Sequence, residues 1–353
     1  MAILRIITLW ALAISHTRAT TYRLTENWVG HDFFNGFNHE NIADPTHGRV
    51  TYVDEATARS DNLSYAIGDS FVIRADYTSL LAASDPGRKS VRLKSKTAYT
   101  THVVAFDIRH IPQGCATWPA AWETDDNNWP NAGEADIIEG VNDVSPNQGT
   151  LHTTAGCVMP SGIQQTGAPQ QLDCNYAVNY NAGCGVKVDK ANSYGPSFNN
   201  IGGGYYAMER TPDFIRMWFW PRNDTSAPVD MKTGKLVIDT DSWGEPFGYW
   251  PSGPSCNLAA HFGPNNIIIN LTLCGDWAGA VFNNDGCSGD CVDYVNNNPA
   301  AFRDAYWEFK AARVYLQGVA LLQPESELNI IENKSTILSH VKIFERVHLL
   351  KSN

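Results

Sequence analysis

The stretch Gly133-Glu-Ala-Asp-Ile-Ile-Glu-Gly140 places three carboxylates, Glu134, Asp136 and Glu139, within six residues of an otherwise apolar segment. Like charges this close repel one another, so neighbouring carboxylates raise each other's pKa values. Two carboxylates with separated pKa values are what glycosidic-bond hydrolysis requires, because one protonates the leaving oxygen while the other stays ionised. The stretch therefore predicts a catalytic strand, and the alternative is a solvated acidic edge strand.

The spacing of the acids tests that interpretation. On a regular strand Glu134 and Asp136 share a face, whereas Glu139 points to the opposite one. A helix also separates Glu134 from Glu139. One extra residue at Ile137-Ile138, a β-bulge, returns Glu139 to the face of Glu134, and bulges are common beside active sites. We therefore predict a bulged strand with all three carboxylates in one cleft.

The N-terminus has the pattern of a secretory signal over residues 1–19. Arg5 precedes an apolar stretch from Ile6 to Ile14, and small residues precede a cleavage site after Ala19. The apolar stretch is too short for a membrane span, and a buried N-terminal helix is the alternative. No later stretch is apolar enough to cross a bilayer. We expect a soluble, secreted protein, extracellular or in the cell wall, without a membrane partner.

Eight cysteines fit an oxidising compartment, where disulfides are the default. Cys287 and Cys291 are close enough for a local bridge, and Cys174 with Cys184 could close a loop. Zinc is disfavoured because there is no paired C-x-x-C and no histidine at ligand spacing. We expect no metal and no cofactor.

Four Asn-x-Ser/Thr triplets are candidate glycosylation sites. The third lies in an apolar run, where a glycan would be awkward. The asparagines are Asn62, Asn223, Asn270 and Asn333.

The formal net charge is −11, and removing Arg5 and Arg18 with the signal makes it −13. This charge disfavours polyanions, so nucleic acid and acidic polysaccharides are poor partners. A neutral glycan is not disfavoured. The many Trp and Tyr side chains suit stacking on sugars, although a single Trp is more often part of the core.

Short segments of alternating apolar and polar residues run through most of the chain and indicate half-buried strands. Gly-, Asn- and Pro-rich loops separate them, notably 181–204 and 283–299. Many strands without helical periods predict a single sandwich or jelly roll of roughly 300 residues with a concave face. The clearest segments are 49–54, 69–74, 90–95, 102–107, 214–220, 266–274 and 307–316.

Tryptophans surround the acidic stretch in sequence. Trp118, Trp122 and Trp129 precede it, and their faces would hold pyranose rings by apolar contact. His152 lies on the expected next strand, at hairpin distance. It could bond a carboxylate or a sugar hydroxyl, or be purely structural.

The motifs together resemble glycoside hydrolase family 16, and most closely its secreted fungal endo-1,3(4)-β-glucanases of the laminarinase type. The resemblance covers residues 20–318. The E-x-D-x-x-E motif carries it, with support from these segments: Trp118-Pro-Ala-Ala-Trp122, Asn128-Trp-Pro-Asn131, His152-Thr-Thr154 and Cys274-Gly-Asp-Trp-Ala-Gly279.

The resemblance implies an all-β, curved β-jelly-roll sandwich (concanavalin A-like) that cleaves internal β-1,3 or β-1,4 glucan bonds with retention. It implies Glu134 as nucleophile, Glu139 as general acid and base, and Asp136 as the group that bonds the nucleophile and helps separate the two pKa values. Retention predicts carboxyl groups about 5–5.5 Å apart. The bulged spacing favours laminarinase-type over strict lichenase-type specificity.

The resemblance also implies substrate contacts. Trp122 and Trp129 would line the glycone side, and Trp277 the other side. Arg92 resembles a sugar-contacting arginine, with an ion-paired strand arginine as the alternative. The remaining contacts would come from His152, near the acids, and from Trp118.

Residues 319–353 continue beyond the family domain. They could form a short amphipathic helix, a disordered tail or a gene-model artefact, and we assign them no role. The segment 283–290 lacks the full calcium-loop pattern and is better explained as a disulfide-pinned loop. We expect a monomer acting on laminarin- or lichenan-type β-glucan. The functional alternatives are a β-glucan transglycosylase and a non-catalytic glucan-binding protein.

Overall fold

The computed structural model describes residues 21–318. The predicted signal, residues 1–19, and the predicted tail, 319–353, lie outside them, as does the triplet at Asn333. The strands of the described part are β1 Thr21–Trp28, β2 Phe37–His39, β3 Val50–Tyr52, β4 Ser64–Ile67, β5 Ser70–Arg74, β6 Arg88–Ser90, β7 Arg92–Tyr99, β8 His102–His110, β9 Thr117–Thr124, β10 Glu134–Glu139, β11 Gln148–His152, β12 Ala168–Pro169, β13 Val186–Lys187, β14 Gly204–Arg210, β15 Phe214–Pro221, β16 Val237–Asp239, β17 Gly248–Pro251, β18 Asn265–Leu273 and β19 Tyr306–Gln317.

Helices are short and lie between strands. The α-helices are α1 Phe33–Gly36, α2 Glu55–Ser60, α3 Gly195–Asn200, α4 Val229–Thr233, α5 Leu258–His261 and α6 Cys291–Asn297. Single 3₁₀ turns occupy Gly30–Asp32, Asn179–Asn181, Thr240–Trp243 and Pro299–Phe302, and Gly275–Gly279 is a π-helical turn. Within residues 21–318, each helix is too short or too polar to traverse a lipid bilayer.

Two large antiparallel sheets and a parallel pair of strands, β3 with β6, make up the domain. The nine-stranded sheet has the order β16-β1-β19-β8-β14-β15-β17, with β5 on β19 and β4 on β5. The eight-stranded sheet has the order β12-β13-β11-β10-β9-β18-β7-β2, so the acidic strand β10 lies near its middle. A main cluster of buried side chains draws on both sheets. The predicted all-β jelly-roll sandwich is confirmed.

The alternating pattern found seven segments and missed other strands, among them the half-buried β1 and the fully buried β14. Each of the seven predicted segments contains a strand. The central strand β14 was not predicted because all seven of its residues are buried. Its Tyr206 and Met208 belong to the core between the sheets, whereas Tyr205 and Ala207 pack in a second cluster with Trp218. A strand covered on both faces shows no alternation.

All eight cysteines are paired. The Cys174–Cys184 bridge is confirmed. The local bridge Cys287–Cys291 is wrong, because Cys287 pairs with Cys115 and Cys291 with Cys274. Cys291 begins helix α6, which lies within residues 283–299, where the sequence predicted only a loop. The segment 283–290 is nevertheless pinned by disulfides, as expected. The fourth bridge joins Cys157 and Cys256.

A buried ionic triad joins the two sheets directly behind the acidic strand. Glu123 of β9 accepts from His102 Nε2 at 2.7 Å and lies 3.4 Å from Arg210 Nε. Glu123 and His102 are fully buried, and Arg210 is nearly so. Burial would raise the pKa of Glu123, but His102 and Arg210 outweigh that effect and hold the pKa below its usual value. The carboxylate therefore neutralises charge inside the sandwich.

We predict that Glu123→Gln lowers the free energy of unfolding by about 3–5 kcal/mol, because it leaves the Arg210 charge buried without its counterion. Urea unfolding measures the loss. The control is Glu55→Gln, which breaks an exposed i,i+4 pair with Arg59 and should change stability by no more than about 0.5 kcal/mol. Equal effects of the two variants would contradict the assigned role of the triad.

Candidate active site

Strand β10 carries the predicted β-bulge. Its pairing with β9 shifts register between Asp136 and Ile138, so Ile137 is the extra residue. Ile137 and Ile138 both pack in the core between the sheets. Glu134 and Glu139 are each only partly buried, the pKa values of both respond to Asp136, and that of Glu139 also responds to Glu134. The three carboxylates therefore lie together on the open face of the sheet, and the bulge is confirmed.

Asn147 holds the bulge in shape, and sequence reasoning missed it. Its Nδ2 donates to the carbonyl of Ile137 at 3.0 Å, and its Oδ1 accepts from the amide of Glu139 at 3.0 Å. Its own amide donates to Ser193 Oγ. A bulge leaves ladder groups unpaired, and buried unpaired groups are costly. An asparagine in the turn after an acidic strand was the available signal, but turn asparagines are too common to single one out.

His152 supplies positive charge to the carboxylates. It pairs directly with Glu134 across β11 and β10. Its Nε2 lies 3.3 Å from Asp136 Oδ2, an ion-pair distance, and 3.8 Å from Glu134 Oε1. Burial alone would lower the pKa of His152, but the contact with Asp136 and the charges of Glu134 and Glu139 raise it to about 10. The ring is therefore an imidazolium at neutral pH.

The two glutamates bind protons more tightly than an ordinary glutamate. Burial, followed by repulsion from Asp136, raises the pKa of Glu134 to about 7 and that of Glu139 to about 8. His152 opposes the rise at both. A carboxyl that stays protonated toward neutral pH is suited to act as a general acid, and the imidazolium at ion-pair distance from Glu134 favours the ionised form of that residue.

Each glutamate also holds one indole. Trp129 Nε1 donates to Glu134 Oε2 at 2.7 Å, and Trp118 Nε1 donates to Glu139 Oε1 at 2.8 Å. Each of these hydrogen bonds stabilises the carboxylate form and lowers its pKa. Trp118 thus contacts the candidate acid directly, a contact that its prediction as a substrate-binding residue did not include.

The other aromatic side chains extend along the same face. Trp277, in the π-helical turn, meets Trp118 edge to face at 5.6 Å between ring centroids. Trp122 pairs with Asp136 across β9 and β10, and its Nε1 donates to Asn270 Oδ1 at 2.8 Å. Asn270 is buried and also bonds the Tyr52 hydroxyl, so the candidate glycan at Asn270 is wrong.

Arg92 requires a correction. It is 1% exposed, and its guanidinium is bound by Glu40 at 2.7 Å and Asp126 at 2.8 Å. The same group lies 5.1 Å from the centroid of the Trp122 ring. The ion-paired alternative is therefore the one the structure shows. Arg92 supports Trp122 from within the protein, and its burial leaves no surface for a sugar.

The cluster has the chemistry of an ion-paired acid/base site. Side-chain atoms of Glu134, Asp136 and His152 lie within 4.8 Å of one another. The imidazolium already supplies the cation that two carboxylates need at this distance. The fold and this set of side chains define a class: a β-sandwich protein whose paired carboxylates, flanked by indoles, are suited to acting on carbohydrate.

Comparison with known proteins identifies the family. The family model described as "XgeA-like, catalytic GH16 domain" matches residues 37–315. The chain belongs to glycoside hydrolase family 16. The predicted resemblance is confirmed.

Similar proteins are fungal. The chain is 41% identical over 320 residues to a probable endo-1,3(4)-β-glucanase of Neosartorya fischeri, covering 88% of this chain and 48% of that protein. It is 38% identical to the endo-1,3(4)-β-glucanase xgeA of Emericella nidulans, covering 86% and 49%. The chain thus spans about half the length of these curated relatives.

Solved structures are also similar. The GH16 laminarinase 16A of Phanerochaete chrysosporium, solved with 6-O-glucosyl-laminaritriose in both donor and acceptor sites, is 58% identical with a TM-score of 0.82. The match covers 84% of this chain and 99% of that one. An elongating family 16 β-1,3-glucosyltransferase is 37% identical with a TM-score of 0.77, covering 83% and 99%.

We predict that Asn147→Ala lowers the free energy of unfolding by at least about 2 kcal/mol, because two buried backbone groups at the bulge lose their partner and each costs about 1–3 kcal/mol. Denaturant unfolding measures the change. The matched control is Asn131→Ala, an exposed asparagine with one long bond to Asn128, which should be neutral. If Asn147→Ala were as stable as Asn131→Ala, Asn147 would not be what holds the bulge.

Proposed function

We propose that this protein is a secreted endo-β-glucanase. It hydrolyses internal β-1,3 bonds of β-glucan, and β-1,4 bonds of mixed-linkage chains, by a retaining double displacement. The observation that carries the proposal is the placement of Glu134 and Glu139 on one sheet face, with the imidazolium of His152 at ion-pair distance from Glu134. The named activities of the fungal relatives and the glucan-bound laminarinase support it.

In the first step Glu134 attacks the anomeric carbon as the leaving oxygen takes the proton of Glu139. The glycosidic bond breaks and an ester to Glu134 forms. Trp129 donates a hydrogen bond to Glu134, and the imidazolium of His152 lies at ion-pair distance from it. The Glu134 carboxylate is therefore both oriented and electrostatically stabilised before attack. A retaining enzyme of this kind has its carboxyl groups about 5–5.5 Å apart.

In the second step Glu139, now ionised, takes a proton from water, and the hydroxide equivalent attacks the anomeric carbon and releases Glu134. Repulsion from Asp136 helps Glu139 regain its proton, since that repulsion raises the pKa of Glu139. Asp136 also holds the imidazolium of His152 beside the nucleophile. Asp136 therefore acts on both glutamates without reacting itself.

The tryptophans distinguish the glycone side of the cleft from the leaving-group side. Trp129 stands beside Glu134 and Trp118 beside Glu139, with Trp122 between them on β9 and Trp277 beyond Trp118. Trp122 and Trp129 would hold the glycone side, and Trp118 and Trp277 the leaving-group side. The net negative charge disfavours nucleic acid and does not oppose a neutral glucan.

Transglycosylation is a second candidate, favoured by the similarity to an elongating β-1,3-glucosyltransferase. The same glycosyl ester would pass to a sugar hydroxyl instead of water. Incubation with laminarioligosaccharides separates the two, because transfer gives some products longer than the substrate, whereas hydrolysis gives only shorter ones. A purely glucan-binding protein would not need both glutamates, and both are present.

Export, glycosylation and a monomeric state are part of the proposal. Four disulfides fit an oxidising compartment. Asn62 and Asn223 are exposed and open to glycosylation. Mass spectrometry of the exported protein should find an N-terminus at Thr20.

The test of the proposal assigns the two glutamates by azide rescue on an aryl β-laminaribioside. In Glu139→Ala azide attacks the glycosyl ester and should give the β-glycosyl azide. In Glu134→Ala azide replaces the nucleophile and should give the α-azide, because it attacks opposite the leaving group. Without azide, each variant should lose laminarin turnover by on the order of 10⁴ or more. NMR of the products reads the anomer.

The control for this experiment is Glu55→Gln on helix α2, which should keep native turnover. If Glu139→Ala gave the α-azide and Glu134→Ala the β-azide, the two roles would be reversed. Native turnover in Glu134→Ala would remove the nucleophile, and with it the proposed mechanism.

A separate prediction concerns pH. His152→Gln removes the cation that lowers the pKa of Glu134, so that pKa rises and the nucleophile is protonated at pH values where it is now ionised. The acidic limb of the kcat/KM profile should move up by about 1–3 pH units. His31→Gln, at an exposed histidine of a 3₁₀ turn, should leave the limb in place. A shift downward, or none, would contradict the role of His152.

A further inference from the structure

A loop closed by the Cys174–Cys184 disulfide, whose cysteines are 10 positions apart in sequence, lies against the end of β11. We call it the 174–184 loop. Its first cysteine accepts from the amide of Thr153 at 2.8 Å, and its last donates to the carbonyl of Leu151 at 3.0 Å. Both ends of the loop are therefore tied to the residues on either side of His152.

One side chain of the loop holds the imidazolium. Asn181 Oδ1 lies 2.9 Å from His152 Nδ1, on the side of the ring opposite the carboxylates. Gly183 packs so closely that an added Cβ would lie 2.8 Å from His152 Cε1. Because both ring nitrogens of the imidazolium carry hydrogen, Asn181 accepts from Nδ1 while Nε2 faces Glu134 and Asp136.

A second side chain of the loop holds the indole on the same glutamate. Tyr176 meets Trp129 edge to face, with 5.0 Å between ring centroids and 68° between planes. Trp129 is the donor to Glu134 Oε2. Edge-to-face pairs contribute beyond their buried area and favour one ring orientation. The loop thus contacts two different residues, His152 and Trp129, that each interact with Glu134.

The backbone of the loop is strained where it presents Asn181. Asn179, Tyr180 and Asn181 have φ values of 51°, 57° and 58°, three left-handed residues in succession without a glycine. Such conformations persist only where the surroundings impose them, and they concentrate at functional sites. The disulfide and the bonds to β11 supply that constraint, and its result is the placement of the Asn181 side chain.

We propose that the 174–184 loop is a positioning element for the nucleophile, in which Asn181 acts through His152 and Tyr176 acts through Trp129. The inference rests on the proposed function, since it concerns the role of Glu134. Neither residue is a reacting group. Each fixes a partner that contacts the nucleophile.

The loop affects ionisation through a defined set of charges. Glu134, Asp136 and Glu139 on β10 act on His152, and Arg92 on β7 acts on Glu134. Loss of the Asn181 acceptor lowers the pKa of His152 and leaves its ring free to move away from Glu134. The more distant imidazolium stabilises the Glu134 carboxylate less, so the pKa of Glu134 rises and activity is lost first on the acidic side of the profile.

The experiment compares two asparagines in the same strained turn. Asn181→Gly removes the acceptor while glycine tolerates the left-handed backbone. Asn181→Asp restores an acceptor there. Asn179→Gly makes the same change at a residue whose side chain bonds Gln171 instead of the site. We expect Asn181→Gly to lower kcat about tenfold and to move the acidic limb to higher pH. Asn181→Asp should reverse both effects, and Asn179→Gly should show neither.

The role of Tyr176 is tested by asking whether its substitution changes kcat or KM. Tyr176→Phe keeps the ring and should match the native protein, whereas Tyr176→Ala should lower kcat. A change in KM alone would make Tyr176 a sugar contact and overturn its positioning role. Equal profiles for Asn181→Gly and Asn179→Gly would overturn the role of Asn181.

A second readout separates this inference from the proposed function. NMR titration of the His152 ring in the full chain requires no substrate, and it should show a lower pKa in Asn181→Gly than in Asn179→Gly. If the native protein failed to cleave any β-glucan, the proposed function would fall while this measurement still decided the role of the loop.

Discussion

The insertion of Ile137 into β10 is the constraint on which the site depends. Without it, strand alternation would send Glu139 into the core between the sheets. With it, Ile137 and Ile138 both enter that core, and Glu139 returns to the face of Glu134. Asn147 bonds the backbone groups that the bulge displaces. The geometry of the two glutamates is thus maintained by apolar packing on one side of the strand and by a buried amide at its end.

Three carboxylates in one cluster repel one another, and the surrounding side chains offset that repulsion only in part. His152 supplies one positive charge, and each glutamate receives one indole N–H. One cation cannot neutralise three acids. The pKa values of Glu134 and Glu139 are therefore both raised above the usual range of a glutamate. The two glutamates differ in their neighbours, because His152 lies at ion-pair distance from Glu134.

The surrounding protein restricts movement at this cluster. Behind the sheet, Glu123 ties β9 to the nine-stranded sheet through Arg210 and His102. In front of it, the 174–184 loop contacts the two groups that flank the nucleophile. Preorganised dipoles and charges contribute most when they need not rearrange during reaction. These supports come from segments distant in sequence, which is why a large sandwich is needed to carry a small site.

Local sequence determined the strand that carries the acids, its bulge, the position of His152 on the next strand and seven alternating segments, because alternation and spacing are properties of neighbouring residues. Only the tertiary structure decided the rest. Strand β14 is buried on both faces and shows no pattern, and the partners of Cys287 and Cys291 follow from chain paths that no spacing encodes. Arg92 became a buried support of Trp122, and not a sugar contact, because Glu40 and Asp126 converge on it from other segments.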